Sequence, residues 1–255
     1  MKRTLISLNT IARKEVIRIL RIWPQTLLPS PMTMSLYLVV FGRLVGSRIP
    51  PIEGVAYIDF IVPGLIMMAV ITNSYSNVVS SFFSSRFHGN IEELLISPTP
   101  NSIVIIGYVA GGMARGLLVG IVVTLVAMCF TTLRITNSAC LIFFIVLTSF
   151  VFSLGGLLNG ILAKTFDDIS IIPTFVITPL TYLGGVFYSV NVLGFPWNVV
   201  SMFNPILYMV NGFRFGFFGV TDVDIVLGMV GLIAVATGLF SLNLYLLNKG
   251  VRLKS

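Results

Sequence analysis

Residues 140–163, CLIFFIVLTSFVFSLGGLLNGILA, decide the solvent in which this chain folds. The 24 residues of this stretch include no Asp, Glu, Lys or Arg. An α-helix rises about 1.5 Å per residue, so about 20 apolar residues cross the roughly 30 Å of hydrocarbon in a bilayer. The stretch is therefore long enough and apolar enough to span a membrane as one helix.

The rest of the chain repeats this pattern. Six spans are predicted, at residues 23–42, 57–83, 103–130, 140–163, 169–188 and 225–247. The runs are continuously apolar and lack the alternation of a membrane β-barrel, so helices are expected. The sequence predicts an all-α, polytopic membrane protein with a single transmembrane domain over residues 1–255.

The composition excludes several classes of protein. Of the 255 residues 56% are hydrophobic and 10% are charged, whereas a soluble domain carries about 25% charged residues. A cytosolic enzyme, a disordered protein and a disulfide-rich secreted scaffold are thereby excluded. His88 is the single histidine, so neither a structural zinc site nor a His-based triad is expected. The two cysteines, Cys129 and Cys140, either pack as free thiols or pair if their membrane face is oxidising.

The basic residues indicate the orientation of the chain. Six of the sixteen Lys and Arg residues precede the first apolar run and three follow the last. Basic flanks remain on the cytoplasmic side, so both termini are expected there. Because the net charge of +7 is concentrated at these flanks, nucleic acid is not an expected partner.

Two segments outside the spans carry further signals. In residues 4–22, basic residues alternate with Val, Ile and Leu, which favours an amphipathic helix along the inner leaflet. The charges alone would equally fit a tail that only sets the orientation. In residues 86–100, Asn90 can cap a short helix that carries Glu92 and Glu93 in its first turn. Apolar residues and two prolines complete it: Leu94, Leu95, Ile96, Pro98 and Pro100. Such a helix is typical of a surface presented to a partner.

Four motifs in this order resemble those of one transporter family. They are residues 90–98 (NIEELLISP), residues 164–170 (KTFDDIS), residues 179–189 (PLTYLGGVFYS), and Asn204-Pro205 followed by Tyr208 and Arg214. Over essentially its whole length the chain resembles the integral-membrane subunits of ATP-binding-cassette (ABC) exporters, in particular the type-2 permeases.

The resemblance implies a half-transporter in the bacterial inner membrane. It implies a homodimer with a second copy, surrounded by lipid, and a separate cytoplasmic ATPase that binds ATP and Mg. It assigns the ATPase contact to the acidic, leucine-rich helix: Glu92, Glu93, Leu94 and Leu95. It also implies re-entrant helices in residues 189–220, with an outer gate at Asn204, Pro205 and Tyr208; an aromatic belt without a gate is the alternative.

The chain has no G-x-x-x-x-G-K-[ST] phosphate loop, so we expect it to bind no ATP and no other cofactor. No catalytic, cofactor-binding or metal-ligating residues are predicted. Arg115 lies within a predicted span, where a charge is costly, and we expect it, with Asn159, to line a translocation path or to form a structural tie. Small residues at four-residue steps predict close helix packing: Gly112, Gly116, Gly120, Gly156 and Gly160.

Two other function classes fit the sequence less well than an ATP-driven exporter does. An ion-coupled secondary transporter requires membrane-buried titratable groups, yet none of the nine acids lies within the middle of a predicted span. A membrane-embedded transferase or hydrolase lacks a His, Asp and Glu constellation at a membrane face. The sequence does not specify the substrate.

Overall fold

The computed structural model describes residues 2–52, 54–91, 96–97 and 99–250. Regular structure in these ranges is helical, apart from one isolated β-bridge between Ile52 and Val55. In chain order the α-helices are α1 (Lys2–Arg21), α2 (Trp23–Leu27), α3 (Pro29–Tyr37), α4 (Tyr57–Phe87), α5 (Asn101–Ala127), α6 (Ser138–Leu162), α7 (Asp168–Ile172), α8 (Thr178–Leu183), α9 (Trp197–Met202), α10 (Pro205–Phe218) and α11 (Ile225–Asn248).

Four of the six predicted spans are confirmed as helices that are long and apolar enough to cross a membrane: α4, α5, α6 and α11. Local sequence sets where they begin. Asn137 caps α6, its side chain accepting a bond from the amide of Cys140 at 3.1 Å. Asp224 caps α11 by accepting from the amide of Leu227 at 3.0 Å. Both side chains satisfy amides that a helix start leaves without a partner.

The other two predicted spans are broken helices. After α2 and α3, each with proline in its first turn, a π-helical segment covers Leu38–Val45. The second broken helix comprises α7, a π-helical segment Pro173–Ile177, and α8, and it ends at Leu183, five residues before the predicted end of the span. Proline interrupts backbone hydrogen bonding, and Gly185 turns the chain with a φ of +69°. Residues 168–183 are shorter than a membrane crossing requires.

Helix α4 is the centre of the bundle and packs on both α5 and α6. These helices approach closely because glycines, which have no side chain, lie at the contacts. A Cβ at Gly156 of α6 would lie 2.5 Å from the backbone oxygen of Tyr75, and a Cβ at Gly112 of α5 would meet Ser74 O at 2.9 Å. All five glycines predicted to pack helices lie against α4: Gly112, Gly116, Gly120, Gly156 and Gly160. The bundle is therefore tightest at its central helix.

Helix α1 packs into the bundle along one face. Ile11, Glu15 and Ile19 are buried at four-residue steps. A Cβ at Gly107 or Gly111 of α5 would come within 2.5 Å of Ile11 or Glu15, so these glycines admit α1. The remaining surface of α1 exposes apolar and basic side chains, as the predicted interfacial helix requires. Arg18 differs from the exposed Arg13, Lys14 and Arg21, because it donates to Glu15 and to Asn77 of α4.

Candidate functional site

A groove lies beside α4, between the two broken helices. A cavity of about 190 Å³ occupies the side next to α3 and is lined by Pro29, Ser30, Thr33, Met34, Tyr37, Leu65, Met68, Ala69, Thr72 and Asn73. A smaller cavity of about 50 Å³ lies next to α7 and α8 and is lined by Met68, Thr72, Tyr75, Ser76, Pro173, Ile177, Thr178 and Thr181. Met68 and Thr72 border both cavities, so the two are parts of one groove. Among these described lining residues none is charged.

Helix α4 carries hydroxyl groups at four-residue steps: Thr72, Ser76, Ser80 and Ser84, here called the hydroxyl stripe. Thr72 and Ser76 line the groove. Thr72 is exposed and the three serines are half-buried. Residues four apart share a helix face. Thr72 and Ser80 donate to the backbone oxygens of Met68 and Ser76 at 2.9 and 2.7 Å, which satisfies the hydroxyls within an apolar helix. The spacing of this stripe is visible in the sequence, but the stripe was not predicted as a site.

Aromatic rings join the two broken helices near Phe187. Its ring centroid lies 5.7 Å from that of Tyr37, 5.3 Å from that of Phe41 and 5.8 Å from that of Tyr182. The hydroxyl of Tyr57, at the start of α4, donates to the backbone oxygen of Phe187 at 3.1 Å. The end of the groove next to the start of α4 is therefore bounded by aromatic packing.

The residues predicted as an outer gate lie in two different surroundings. Asn204 caps α10 and also donates to the backbone oxygen of Leu180 in α8 at 2.6 Å, while Pro205 is the first residue of α10. Asn204-Pro205 thus begins a helix and attaches it to the second broken helix. Tyr208 faces α11 instead, where it lines a separate groove of about 390 Å³ with Phe203 and Gly228.

Arg214, the last residue of the fourth motif, is buried. Only 1% of the residue is exposed, and it lies within α10. It donates to the backbone oxygens of Phe60 at 3.3 Å and Gly185 at 2.7 Å, and to Asn211 Oδ1 at 3.2 Å. Its guanidinium carbon lies 3.7 Å from the centroid of the Phe60 ring. One side chain thus joins α10, α4 and the turn after α8.

The predicted ATPase-contact residues Glu92, Glu93, Leu94 and Leu95 lie outside the described residues. On either side of them, Ile91 is buried and Ile96 is 85% exposed. The segment 86–100 starts from a fixed point, because Arg86 donates to the backbone oxygens of Gly160, Ile161 and Ala163 at the end of α6. These carbonyls would otherwise lack helical partners.

Aromatic contacts connect the same segment to the KTFDDIS motif. The Phe166 ring centroid lies 4.9 Å from that of Phe83 and 5.0 Å from that of Phe87. Asp168, the first residue of α7, accepts from the amides of Lys164 and Thr165 at 2.7 and 3.1 Å. Asp168 therefore lies at the start of α7, and Phe166 of the KTFDDIS motif packs on the end of α4.

Arg115 and Asn159 are not brought together. Asn159 is buried and donates to the backbone oxygen of Ile169 at 3.2 Å, which ties α6 to α7. Arg115 is half-buried and lines neither part of the groove beside α4. Its Nε is buried, and within the described part of the chain it has no hydrogen-bond partner and no carboxylate within 4.0 Å. The structural tie to a carbonyl or an acid is therefore not observed.

Glu15 is a buried acid that sequence analysis missed. It is completely buried between α1, α4 and α5, and it accepts from Ser81 Oγ at 2.7 Å and from Arg18 Nη2 at 2.9 Å. The count of acids within the predicted spans omitted it because α1 precedes them. Since Arg18 compensates its charge, Glu15 forms part of a salt bridge.

The comparison with protein families accounts for the motifs and the fold together. The family model described as ABC-2 type transporter matches residues 7–218. This chain belongs to the ABC-2 type transporter family. It is therefore a membrane subunit of an ABC transporter, and the resemblance inferred from its motifs is confirmed.

Relatives of this ABC-2 chain span most of its length. It is 52% identical over 249 residues to the inner membrane transport permease YadH of Escherichia coli (strain K12), covering 97% of both chains. The proteins of the same name from Escherichia coli O157:H7 and Shigella flexneri match equally. Nodulation protein J of Rhizobium meliloti (strain 1021) is 25% identical over 183 residues, or 70% of this chain and 69% of the relative.

Proposed function

We propose that the chain is the permease subunit of an ABC exporter of the bacterial inner membrane. Two copies form the translocation path, and a separate cytoplasmic ATPase, which binds ATP and Mg, drives them. The observation that carries this proposal is an uncharged, hydroxyl-lined groove beside the central helix of an ABC-2 family chain. The relative named inner membrane transport permease supports the location, and the family resemblance supports export.

The proposed topology has six crossings with both termini in the cytoplasm. The predicted spans at residues 23–42 and 169–188 serve as the first and fifth crossings despite their breaks, with the residues after Leu183 completing the fifth. An even number of crossings places both basic termini on one side, as the distribution of Lys and Arg favours. The breaks lie on both sides of the groove, and irregular helix is tolerated in a membrane where it lines a cavity.

A second copy covers the groove in this proposal. Hydroxyl groups exposed to lipid gain nothing from their surroundings, whereas facing copies of the stripe would form a polar path between two subunits. A two-fold axis places a residue near its own counterpart when the residue lies close to the axis. The exposed Thr72, at the junction of the two cavities, is the position that we assign nearest to that axis.

Cross-linking at Thr72 tests the homodimer. In a Cys129→Ser/Cys140→Ser background, we expect Thr72→Cys to yield a covalent dimer with a short bis-maleimide in native membranes, detected on a denaturing gel. The matched control is Thr237→Cys in α11, because Thr237 is also exposed and also bonds the carbonyl four residues earlier, at 2.8 Å. A monomer at both positions, or equal cross-linking at both, would contradict the proposed interface.

The acidic pair after α4 is expected to bind the ATPase. Replacing Glu92 and Glu93 by Ala removes two charges that would fix the register of that contact, so co-purification of the ATPase should fall about tenfold. Asp167→Ala, which removes an exposed acid after α6, is the control that should retain binding. Unchanged recovery of the ATPase with the Glu92/Glu93 variant, at equal permease yield, would contradict the assignment of these two residues to the ATPase contact.

Pull-down from native membranes separates ATP-driven transport from ion coupling. A tagged chain should recover a phosphate-loop ATPase whose hydrolysis rate rises in the presence of the permease. Proton-gradient-driven transport by the purified chain without nucleotide would instead establish a secondary transporter. The salt bridge between Glu15 and Arg18 weakens that alternative, since the described acid buried among the helices already has a cation as its partner.

A further inference from the structure

Helices α1, α4 and α5 pack against one another, and each carries a buried side-chain nitrogen atom without a hydrogen-bond partner in the described part of the chain. These nitrogen atoms are Arg18 Nε, Asn77 Nδ2 and Arg115 Nε. We call Arg18, Asn77 and Arg115 the donor cluster. Buried polar atoms are nearly always paired in native proteins. All three of these atoms are donors, so what the cluster lacks is an acceptor.

The members of the cluster are neighbours. Arg18 Nη2 donates to Asn77 Oδ1 at 2.9 Å and to the backbone oxygen of Asn77 at 3.1 Å. These bonds leave the amide nitrogen of Asn77 as its unused group, and Asn77 is only 1% exposed. Arg115 follows Gly111 by four residues and so shares its helix face, and a Cβ at Gly111 would meet Glu15 of α1 at 2.5 Å, so Arg115 lies on the side of α5 that faces α1. The donors therefore point to a ligand held between three helices.

The charges of this region do not balance. Glu15 is already held by Arg18 and Ser81, and it is the one described acid that bonds to the cluster. One carboxylate against two guanidinium groups leaves a net charge of +1. An unpaired charge among membrane helices is energetically unfavourable. A water molecule could satisfy one donor, but it would not compensate the charge.

The depth of the cluster identifies the source of an anion. Asn77 lies 20 residues after Tyr57, the first residue of α4, which is about 30 Å along the helix. That distance equals the hydrocarbon thickness, so the cluster lies at the inner boundary if α4 starts at the outer one. Lipid phosphates are found at this level. The side chain of Arg18 is 31% exposed, which gives a headgroup access from the surface.

We propose that Arg18, Asn77 and Arg115 bind the phosphate of an anionic phospholipid from the inner leaflet. The planar guanidinium fork matches phosphate oxygens, and two arginines with one amide supply donors from three helices. The bound lipid would hold α1 against α4 and α5. Only the assignment of the leaflet depends on the proposed topology, and no ATPase or transport assay enters the test.

Native mass spectrometry of the purified full-length chain tests the site. Protein from nanodiscs of phosphatidylglycerol and phosphatidylcholine should retain phosphatidylglycerol selectively. We expect Arg115→Gln to reduce that retention about tenfold and Arg115→Lys to preserve part of it. Arg134→Gln, which removes an exposed arginine between α5 and α6, is the charge-matched control and should behave as wild type.

Three results would contradict the proposed lipid site. Equal retention of the two lipids by wild type, or unchanged selectivity in Arg115→Gln, would overturn the site, and the first of these requires no variant to fold. Binding of a soluble anion is tested with inorganic phosphate, whose effect on the stability of the protein in phosphatidylcholine is measured by thermal shift. Stabilisation of wild type but not of Arg115→Gln, without lipid selectivity, would assign the cluster to a soluble anion and refute the lipid proposal.

Discussion

Arg214→Met is expected to prevent stable folding of the outer half of the bundle. The substitution removes the Arg214 donors from the backbone oxygens of Phe60 and Gly185, and it removes one of the two donors to Asn211 Oδ1, which also accepts from the amide of Asp222. Each unpaired buried acceptor costs about 1–3 kcal/mol. The expected loss is therefore about 3 kcal/mol or more, and the apparent Tm in detergent should fall by about 10 °C. The apparent Tm is measured by fluorescence-detected gel filtration of heated samples.

Two controls separate the role of Arg214 from loss of a positive charge. Arg134→Met removes an exposed arginine and should leave the Tm unchanged. Arg214→Lys keeps the charge but lacks the planar fork that reaches three acceptors, so an intermediate Tm is expected. If Arg214→Met melts at the wild-type temperature, Arg214 does not hold these elements together.

Gly156→Leu is expected to separate α6 from the central helix. A Cβ at this position would lie 2.5 Å from Tyr75 O, 3.2 Å from Tyr75 C and 3.3 Å from Tyr75 Cα. These are backbone atoms and cannot rotate away as a flexible side chain would, so the helices themselves must move. Overpacking of a core costs about 1–3 kcal/mol, and a collision with backbone falls at or above that range. We expect little monodisperse protein.

Gly231→Leu in α11 is the matched control. A Cβ at Gly231 meets no atom within 4 Å among the residues that the structure describes, so the same substitution should be tolerated at wild-type yield. Both glycines lie within long apolar helices, and the comparison removes helix propensity and added hydrophobicity as causes. Equal yields of the two variants would show that close approach at Gly156 is not required.

The four long helices were predictable because length and continuous apolarity suffice to identify a span. The broken helices were predicted less well. Pro29 and Pro173 were visible in the sequence, yet a proline does not reveal whether the helix continues beyond it as α-helix, π-helix or turn. The premature end of the second broken helix at Leu183 depends on the turn at Gly185, which packs against Leu207 and is bonded by Arg214.

The candidate site was also only partly predictable from the sequence. Asn204-Pro205 was readable as a helix start because capping is a local interaction between adjacent residues. Tyr208 was grouped with it by sequence proximity, but the three-dimensional direction of each side chain separates them. The hydroxyl stripe had the spacing of one helix face, but nothing in that spacing indicates which face remains open in the bundle.

By itself the sequence determined that this chain lies in a membrane, where its long helices run, and to which family its motifs belong. These properties follow from composition, local periodicity and the order of short motifs, each of which is contained within a short window of residues. Only the tertiary structure decided that Glu15 is buried and paired, that Arg214 joins three elements, and that Arg18, Asn77 and Arg115 meet with unused donors. The Glu15–Arg18 pair is local, but the burial of Glu15 and the other outcomes depend on contacts between distant residues, such as Arg18 and Asn77, 59 positions apart, and Arg214 and Phe60, 154 positions apart.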